Sequence, residues 1–388
     1  MADKRDKKRE QTEMIPYKKS DLYKHASERT FKGESLQMVA MPMGGIGTGC
    51  VSLGGRGELR DWEIFNRPGK GKDLDAFVLL WARKQGEEPV TKSVQRAPLP
   101  PYWGPMGWRR DGGRGLPCFP EATFTAGYPF GEVEFEDKSF PLQVSVEGFN
   151  PFIPLDPEAS GIPAAILTYK LRNPSTKPVE ATLLLNLPNV VGTDGIRFQG
   201  EMVKGTVSEL REGEGFQAIR MTNLELPVGH PRGGTMAIAA RGAEFTHLLS
   251  WPKGEGWWDS FHLFWDDFAA DGRFDDPGSA GPFEGPQPAS AALGVRVTIK
   301  PRAAVKIPFV IAWHFPTRVN EWDSEKEVQG ERLVNEYNNR FGDALEVAEH
   351  VLANLESLRD RSKAYAKALL SSTLPGVDVA EVIQTQRR

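Results

Sequence analysis

Residues 41–72 read MPMGGIGTGCVSLGGRGELRDWEIFNRPGKGK and combine many glycines with arginines, acids and aromatic residues. Two glycine clusters, at 44–49 and 54–57, stand on either side of the short run Val51, Ser52 and Leu53. Glycine adopts backbone conformations with positive φ and lets two chain segments approach closely, so such clusters mark turns and bulges around a short strand. The stretch therefore predicts a glycine-rich hairpin in an antiparallel sheet.

Glycine-rich segments also bind phosphates, and this alternative depends on spacing. The dinucleotide fingerprint G-x-G-x-x-G fails twice, because its third glycine falls on Ser52 in one frame and on Arg60 in the other. The P-loop spacing fails as well, because Asn66 stands where the first glycine should be and Asp73 follows the lysine. Nucleotide binding is disfavoured, and the hairpin interpretation is preferred.

Residues 60–68, RDWEIFNRP, place charged groups around apolar ones. A buried, salt-bridged turn is favoured over a polar lattice that faces a sugar site or a neighbouring domain. Asp61 and Glu63 are a poor catalytic pair on sequence grounds. Residues i and i+2 of a strand lie about 7 Å apart, and the sequence does not determine how their carboxyl groups are oriented. The candidates for sugar or domain contact in this stretch are Arg60, Asp61, Trp62, Glu63, Asn66 and Arg67.

Composition bounds the class of protein. The chain has 388 residues, of which 39% are hydrophobic, and a formal net charge of −4. This composition supports a sizeable core and gives no general attraction for nucleic acid. Residues 1–14 mix basic and acidic side chains and predict a disordered charged arm.

Two cysteines, Cys50 and Cys118, fit either one disulfide or two free thiols in a reducing compartment. The first thirty residues contain no apolar leader core, and no run of eighteen apolar residues follows. We therefore expect a cytoplasmic protein without a transmembrane segment.

Short apolar or alternating runs fill the chain from about residue 41 to residue 317. Breaks rich in proline and glycine separate these runs, which is typical of strands. Because no helical periodicity is evident between them, the pattern predicts a mainly β protein with a large antiparallel β-sandwich. The clearest predicted strands contain residues 143–146, 164–169, 182–185, 293–299 and 307–313.

The pattern changes near the C-terminus to apolar residues at three- and four-residue spacing. Asp343, Glu346 and Glu349 lie on the opposite face, which predicts a long amphipathic helix after the sandwich. Gly342 and Pro375 bracket it. Its apolar stripe must be buried, either against the sandwich or against a further helical domain. The stripe comprises Phe341, Ala344, Leu345, Ala348, Val351, Leu352, Leu355 and Leu358.

A second group of candidates combines tryptophans with carboxylates, the pair of side-chain types that stacks on and hydrogen-bonds sugars. Core tryptophans with surface acids are the favoured interpretation, because large aromatic residues dominate protein cores. The six histidines are scattered without ligand spacing, so no metal site or cofactor is expected. This group consists of Trp258, Asp259, Trp265 and Asp266.

The sequence resembles the N-terminal domain of glycoside hydrolase family 116, the group of non-lysosomal β-glucosylceramidase and bacterial β-glucosidases. Landmarks from about Ile15 to Pro375 occur in the family's order. Besides residues 41–72, they are Tyr128-Pro129-Phe130-Gly131, residues 148–154 (GFNPFIP), Leu187-Pro188-Asn189, Phe264-Trp265-Asp266-Asp267-Phe268, Trp313-His314-Phe315-Pro316, residues 337–341 (YNNRF) and residues 371–375 (SSTLP).

The resemblance implies a sandwich at 15–318, followed at 319–375 by a helical linker to an (α/α)₆ barrel that carries the nucleophilic glutamate and the acid/base aspartate. Residues 376–388 form a tail that does not resemble the barrel, so no residue of this chain is assigned a catalytic role. The expected function is a non-catalytic domain of a truncated β-glucosidase- or glucosylceramidase-like enzyme. Its partners would be the barrel, in cis or in trans, and a β-glucoside or glucosylated lipid. A stand-alone carbohydrate-binding module and one half of a split glycosidase are the alternatives.

Overall fold

The computed structural model describes residues 20, 24, 27–99, 115–193, 195, 203–256, 259–285, 288–321 and 323–375. The predicted charged arm at 1–14 and the tail at 376–388 lie outside these residues. The mainly β prediction is confirmed, and all five runs singled out above lie within strands. Cys50 and Cys118 are both free thiols.

Two large sheets form the body of the molecule, with strands numbered in chain order. The larger sheet has ten strands in the spatial order β1 (Arg29–Lys32), β8 (Glu121–Gly127), β9 (Phe130–Glu136), β10 (Gln143–Phe149), β11 (Ala164–Arg172), β19 (Ala304–His314), β15 (Thr235–Arg241), β14 (Phe216–Asn223), β13 (Val203–Gly213) and β17 (Phe283–Gly285). The smaller sheet has six strands in the order β16 (Glu244–Leu248), β18 (Ser290–Ile299), β12 (Val179–Pro188), β5 (Phe77–Lys84), β6 (Val90–Arg96) and β7 (Cys118–Phe119). Pairing is antiparallel except between β6 and β7.

Smaller elements complete the fold. The predicted glycine-rich hairpin is part of a three-stranded antiparallel sheet of β2 (Ala40–Met43), β3 (Cys50–Gly54) and β4 (Leu59–Glu63). A two-stranded sheet pairs β20 (Thr317–Val319) with β21 (Arg332–Val334). The α-helices whose full range lies within the described residues are α1 (Pro157–Ser160), α2 (Asp259–Asp271) and α3 (Ala344–Leu370), and 3₁₀ helices cover Gly33–Met38 and Glu336–Asn339.

The main core lies between the two large sheets and is filled by alternate side chains of their strands. On β19, Phe309, Ile311 and Trp313 point into this core, whereas Val310 and Ala312 belong to a second cluster on the outer face. A strand turns successive side chains to opposite faces, so a continuous apolar run requires cover on both faces. The sandwich is therefore flanked by helices.

Helix α3 covers the outer face of the larger sheet, where it contacts β11, β14, β15 and β19. The predicted apolar stripe is buried there, which answers the question of what covers it. The helix begins at Ala344 and runs to Leu370, twelve residues beyond the last stripe residue named from sequence. The sheet face beneath it is lined by small residues that let the helix approach closely, namely Ala164, Ala218, Ala237, Ala239 and Ala312.

Helix α2 lies on the outer face of the smaller sheet, inside the region where only strands were expected. Phe264 and Phe268 of this helix pack with Trp81 and Leu184 in a third apolar cluster. The indole Nε1 of Trp81 donates a hydrogen bond of 3.2 Å to the carbonyl oxygen of Ala269. The four layers are thus α3, the ten-stranded sheet, the six-stranded sheet and α2.

Candidate functional site

Strand β4 and the loop after it carry the first group of predicted contact residues. Trp62 and Ile64 are buried in the main core, at 0% and 1% exposure. Asp61 adopts a left-handed backbone conformation with φ of 53°. The alternation of this strand thus points Trp62 inwards and leaves its charged neighbours to organise the loop.

The carboxylates of Asp61 and Glu63 hold that loop together. Asp61 Oδ1 accepts a hydrogen bond of 2.7 Å from the amide of Gly71, and Glu63 Oε1 accepts one of 3.1 Å from the amide of Gly69. Lys70 Nζ lies 2.7 Å from Glu63 Oε2. Burial alone would raise the pKa of Glu63, but the hydrogen bonds from Lys70 and Gly69 keep it below its usual value. Both carboxylates are committed to loop contacts, which agrees with the favoured interpretation of a salt-bridged turn.

Arg60 belongs to a buried ion-pair cluster, of which sequence reasoning missed Arg56 and Glu58. Its guanidinium lies 3.8 Å from Glu58 and 3.7 Å from Asp61. Arg56, which is fully buried, lies 3.6 Å from the same Glu58 carboxylate and donates a 2.9 Å hydrogen bond to the carbonyl oxygen of Arg96. The alternation of charged residues with glycines at 54–60 was the available sequence signal. Such clusters fix geometry more than they add stability.

Asn66 ties the loop to a segment 250 residues later in the chain. Its Nδ2 donates hydrogen bonds to the carbonyl oxygens of Phe315 (2.9 Å) and Thr317 (3.2 Å), and its Oδ1 accepts one of 2.7 Å from Asn335. Asn66 has φ of 58°, a left-handed conformation that asparagine tolerates better than most residues. The hydroxyl of Tyr337 donates to the same Phe315 carbonyl at 2.7 Å. This polar network joins the loop after β4 to the start of β20 and to the 3₁₀ helix Glu336–Asn339, which precedes α3.

A pocket of about 200 Å³ opens beside this network. The rings of Phe65 and Phe315, with centroids 5.1 Å apart, line it, and so do Arg67 and Glu321, whose Nη2 and Oε2 atoms lie 3.2 Å apart. Two predicted contact residues, Asn66 and Arg67, thus line one cavity, whereas Asp61 and Glu63 support the loop behind it. The remaining lining residues are Thr193, Pro231, Arg232, Thr317, Arg318 and Val319.

The second group of predicted contact residues lies on α2, across the smaller sheet. Trp265 is half-buried against the third apolar cluster, Asp266 is exposed, and Asp259 accepts a hydrogen bond from the amide of Gly256. Trp258 lies outside the described residues. No hydrogen bond or ion pair found among the described residues joins this group to the pocket, so the two groups do not form one site.

Within the described residues, no three His, Cys, Asp or Glu side chains group closely enough to hold a metal ion. Within the same residues, no helix combines the length and the apolar character needed to cross a bilayer.

The family model described as "beta-glucosidase 2, glycosyl-hydrolase family 116 N-term" matches residues 40–358 of this chain. The chain belongs to glycoside hydrolase family 116. The match includes the hairpin, the Asn66 network, the smaller sheet, the larger sheet except β1, and the first half of α3. The family resemblance inferred from residues 41–72 and the later landmarks is confirmed.

Solved structures provide distant comparisons for this family 116 domain. The "Putative kojibiose phosphorylase from human microbiome" shares 8% identity at a TM-score of 0.38, over 90% of this chain and 39% of that protein. A polysaccharide lyase shares 9% identity at a TM-score of 0.31, over 71% of this chain and 32% of that protein. The family 116 chain therefore spans well under half the length of either protein.

Proposed function

We propose that this chain is the non-catalytic N-terminal domain of a β-glucosidase- or glucosylceramidase-like hydrolase. In this proposal it braces an (α/α)₆ catalytic barrel and helps to shape the cleft in which a β-glucoside or glucosylated lipid is cleaved. The proposal assigns residues 15–318 to the sandwich domain and residues 319–375 to the connection towards the barrel. The match of the family 116 N-terminal model to residues 40–358 is the observation that carries the proposal.

The hydrogen bonds that Asp61 and Glu63 accept support a non-catalytic role for the chain. A retaining glycosidase needs two carboxyl groups about 5 Å apart, free to act on the sugar as nucleophile and acid. In the family 116 segment, Asp61 and Glu63 instead accept hydrogen bonds from the loop amides of Gly71 and Gly69. Catalytic carboxylates would then come from the barrel.

The packing of α3 supports a bracing role. The apolar stripe of this 27-residue helix is buried on the ten-stranded sheet, so the domain needs no second chain to cover it. A preformed surface loses little conformational entropy on association, which favours firm docking of a second domain.

The test combines this chain with a separately purified family 116 barrel and follows hydrolysis of an aryl β-glucoside. The chain alone should be inactive, and adding it to the barrel should raise both turnover and the barrel's unfolding temperature. The non-catalytic assignment would be overturned if the chain alone hydrolysed the glucoside. The activity would have to copurify with the chain and be lost in both Asp61→Asn and Glu63→Gln. If adding the chain changes neither the turnover nor the unfolding temperature of the barrel, the bracing role is overturned.

Sugar binding by the chain itself is a second candidate, which the pocket beside Asn66 and Arg67 favours. The lining combines the rings of Phe65 and Phe315 with the guanidinium groups of Arg67, Arg232 and Arg318, and these groups provide stacking and hydrogen bonding for a sugar ring. Calorimetry with methyl β-glucoside should then show saturable binding that Arg67→Ala abolishes. Absence of heat at millimolar sugar would remove this candidate and leave the bracing proposal intact.

A further inference from the structure

An apolar groove of about 350 Å³ lies at the β1 edge of the larger sheet. We call it the edge groove. Its walls come from β1, the 3₁₀ helix Gly33–Met38, the start of β2 and the adjoining ends of β8 and β9. A volume of this size lies within the range of sites that hold a ligand. The lining includes Phe31, Ser35, Met38, Phe124, Ala126 and Tyr128.

The main core is open to solvent along the edge groove. Met41 and Phe124 are buried members of that core, whereas Phe31 and Ala126 beside them are only partly buried. Met38 at the rim is 87% exposed. Contiguous apolar surface left in water marks a place where an apolar group binds, because burial of that surface is favourable.

The polar groups of the lining already have partners. Ser35 Oγ donates a hydrogen bond of 2.7 Å to the carbonyl oxygen of Lys32 and accepts one of 3.1 Å from the Lys32 amide. The hydroxyl of Tyr128 accepts a hydrogen bond of 3.4 Å from Asn150 Nδ2. A buried polar group without a partner is costly, so the edge groove suits an apolar occupant better than a sugar or a charged group.

The chain that precedes β1 lies at one end of the edge groove. Arg29, the first residue of β1, pairs with Ala126 of the lining. Glu28 lies against Gly127, where an added Cβ would stand 2.9 Å from Glu28 Cγ. Tyr128, the next residue, lines the groove. The chain N-terminal to Glu28 therefore starts beside the groove.

That part of the chain contains one suitable apolar segment. Residues 14–17 read MIPY and form the longest apolar run in residues 1–28, at the end of the predicted charged arm. The chain from Ile15 to Glu28 extends to about 45 Å at most, whereas three neighbouring strands are about 10 Å across, so the run can reach the groove. Pro16 has no backbone N–H that would need a partner in an apolar site.

We infer that residues 14–17 of this same chain pack into the edge groove and cover the open margin of the main core. The covalent link through Glu28 holds the segment beside the groove at a high effective concentration, which favours it over a separate molecule. The contact needs no catalytic barrel, so it is independent of the proposed function.

Disulfide trapping in the full chain tests the contact. Met38→Cys at the rim is combined with one cysteine in the segment, in a Cys50→Ala, Cys118→Ser background. A disulfide requires Cα atoms within about 7 Å, so mild oxidation should close at least one pair within the chain. The segment substitutions, used one at a time, are Met14→Cys, Ile15→Cys and Tyr17→Cys.

Val228→Cys, in place of Met38→Cys, is the matched control. Val228 is also a fully exposed apolar residue, and it lies in the loop between β14 and β15. Six strand spacings separate β1 from β15, about 29 Å along the sheet. Disulfides to position 228 should form at least about tenfold more slowly than those to position 38.

Tryptic cleavage provides a second measurement that does not depend on how the segment is aligned in the groove. Packing of residues 14–17 should protect the bonds after residues 18–19 (KK), whereas the bonds after residues 7–9 (KKR) stay accessible. Ile15→Ser and Met38→Ser should each speed cleavage after residues 18–19 about tenfold and leave cleavage after residues 7–9 unchanged. Val228→Ser should change neither rate.

Three results would overturn the inference. The first is trapping to Met38→Cys that is no faster than trapping to Val228→Cys. The second is a set of disulfides that join two chains in dilute solution, which would make the segment of a second copy the occupant. The third is wild-type cleavage after residues 18–19 that is as fast as cleavage after residues 7–9 and is unaffected by Ile15→Ser.

Discussion

The Asn66 network provides a direct test of how the loop after β4 is held. Asn66→Ala removes three side-chain hydrogen bonds, to Phe315, Thr317 and Asn335. Each is worth about 1 kcal/mol, and the partial exposure of Asn66 lets water replace part of that sum. Alanine at φ of 58° adds about 1 kcal/mol of backbone strain. We expect the free energy of unfolding to fall by about 3 kcal/mol.

Asn66→Gly separates the two contributions. Glycine removes the strain but increases the entropy of the unfolded chain, which costs about 0.5–1 kcal/mol. It should therefore be slightly less destabilising than Asn66→Ala, although it loses the same hydrogen bonds. Chemical denaturation with matched slopes is the assay, and a double-mutant cycle with Asn335→Ala should give a coupling of about 1 kcal/mol. A loss below about 0.5 kcal/mol for Asn66→Ala, or a glycine variant less stable than the alanine one, would refute this account of the network.

Three further predictions concern α3 and the hairpin. Leu352→Ala in the buried stripe should lower the free energy of unfolding by about 2–4 kcal/mol, whereas Glu349→Ala on the exposed face should change it by less than about 0.5 kcal/mol; equal effects would contradict burial of the stripe. Asp343 caps α3, and although burial alone would raise its pKa, the Glu346 amide and the Arg220 guanidinium hold that pKa below the usual value. The carboxylate of Asp343 therefore contributes its full stabilisation above the unfolded pKa, and this contribution is lost as pH falls through the lower folded pKa. In an acid titration followed by circular dichroism, Asp343→Asn should lose less stability than the wild type between pH 5 and pH 3. Equal losses in the two proteins would refute this assignment. Burial raises the pKa of Cys50 to about 11, so only about one Cys50 thiol in a thousand is ionised at pH 8. In a Cys118→Ser background, iodoacetamide should therefore react with the folded protein about 200-fold more slowly than with the unfolded protein. Equal rates would show that the Cys50 thiol is not buried.

Local patterns in the sequence were sufficient for the strands and for most of α3. Alternation and proline–glycine breaks located β10, β11, β12, β18 and β19, because each of these strands buries at least one face. The three- and four-residue spacing identified α3, but Asp343 was assigned to its exposed face. The structure places Asp343 at the N-cap, where its carboxylate accepts the amides of Leu345 and Glu346 at 2.9 and 3.0 Å.

Helix α2 was missed for a physical reason visible in its own residues. Phe261, Phe264, Trp265 and Phe268 follow helical spacing, but their tryptophan and the adjacent acids were interpreted as a possible sugar-binding motif. The helix buries its aromatic face on the smaller sheet and exposes Asp266. Periodicity was the better guide here than the chemical type of the side chains.

The pocket beside Asn66 was beyond sequence reasoning because its walls come from distant segments. Asn66 and Arg67 were named as candidates, but Glu321 lies 254 residues from Arg67 and Asn335 lies 269 residues from Asn66. Such pairs arise only when the sheet register is known. Local composition identified one wall of the cavity, and tertiary structure supplied the other.

The alanines beneath α3 set opposite size limits on neighbouring positions of one strand. On β15, Ala237 and Ala239 face the helix, whereas Met236 and Ile238 face the main core. An added methyl group at the alanines would push the helix outwards, and a removed one at the core positions would leave a void. Every second residue of this strand therefore has a maximum side-chain volume, and the residues between have a minimum. An insertion of a single residue would violate both limits at once.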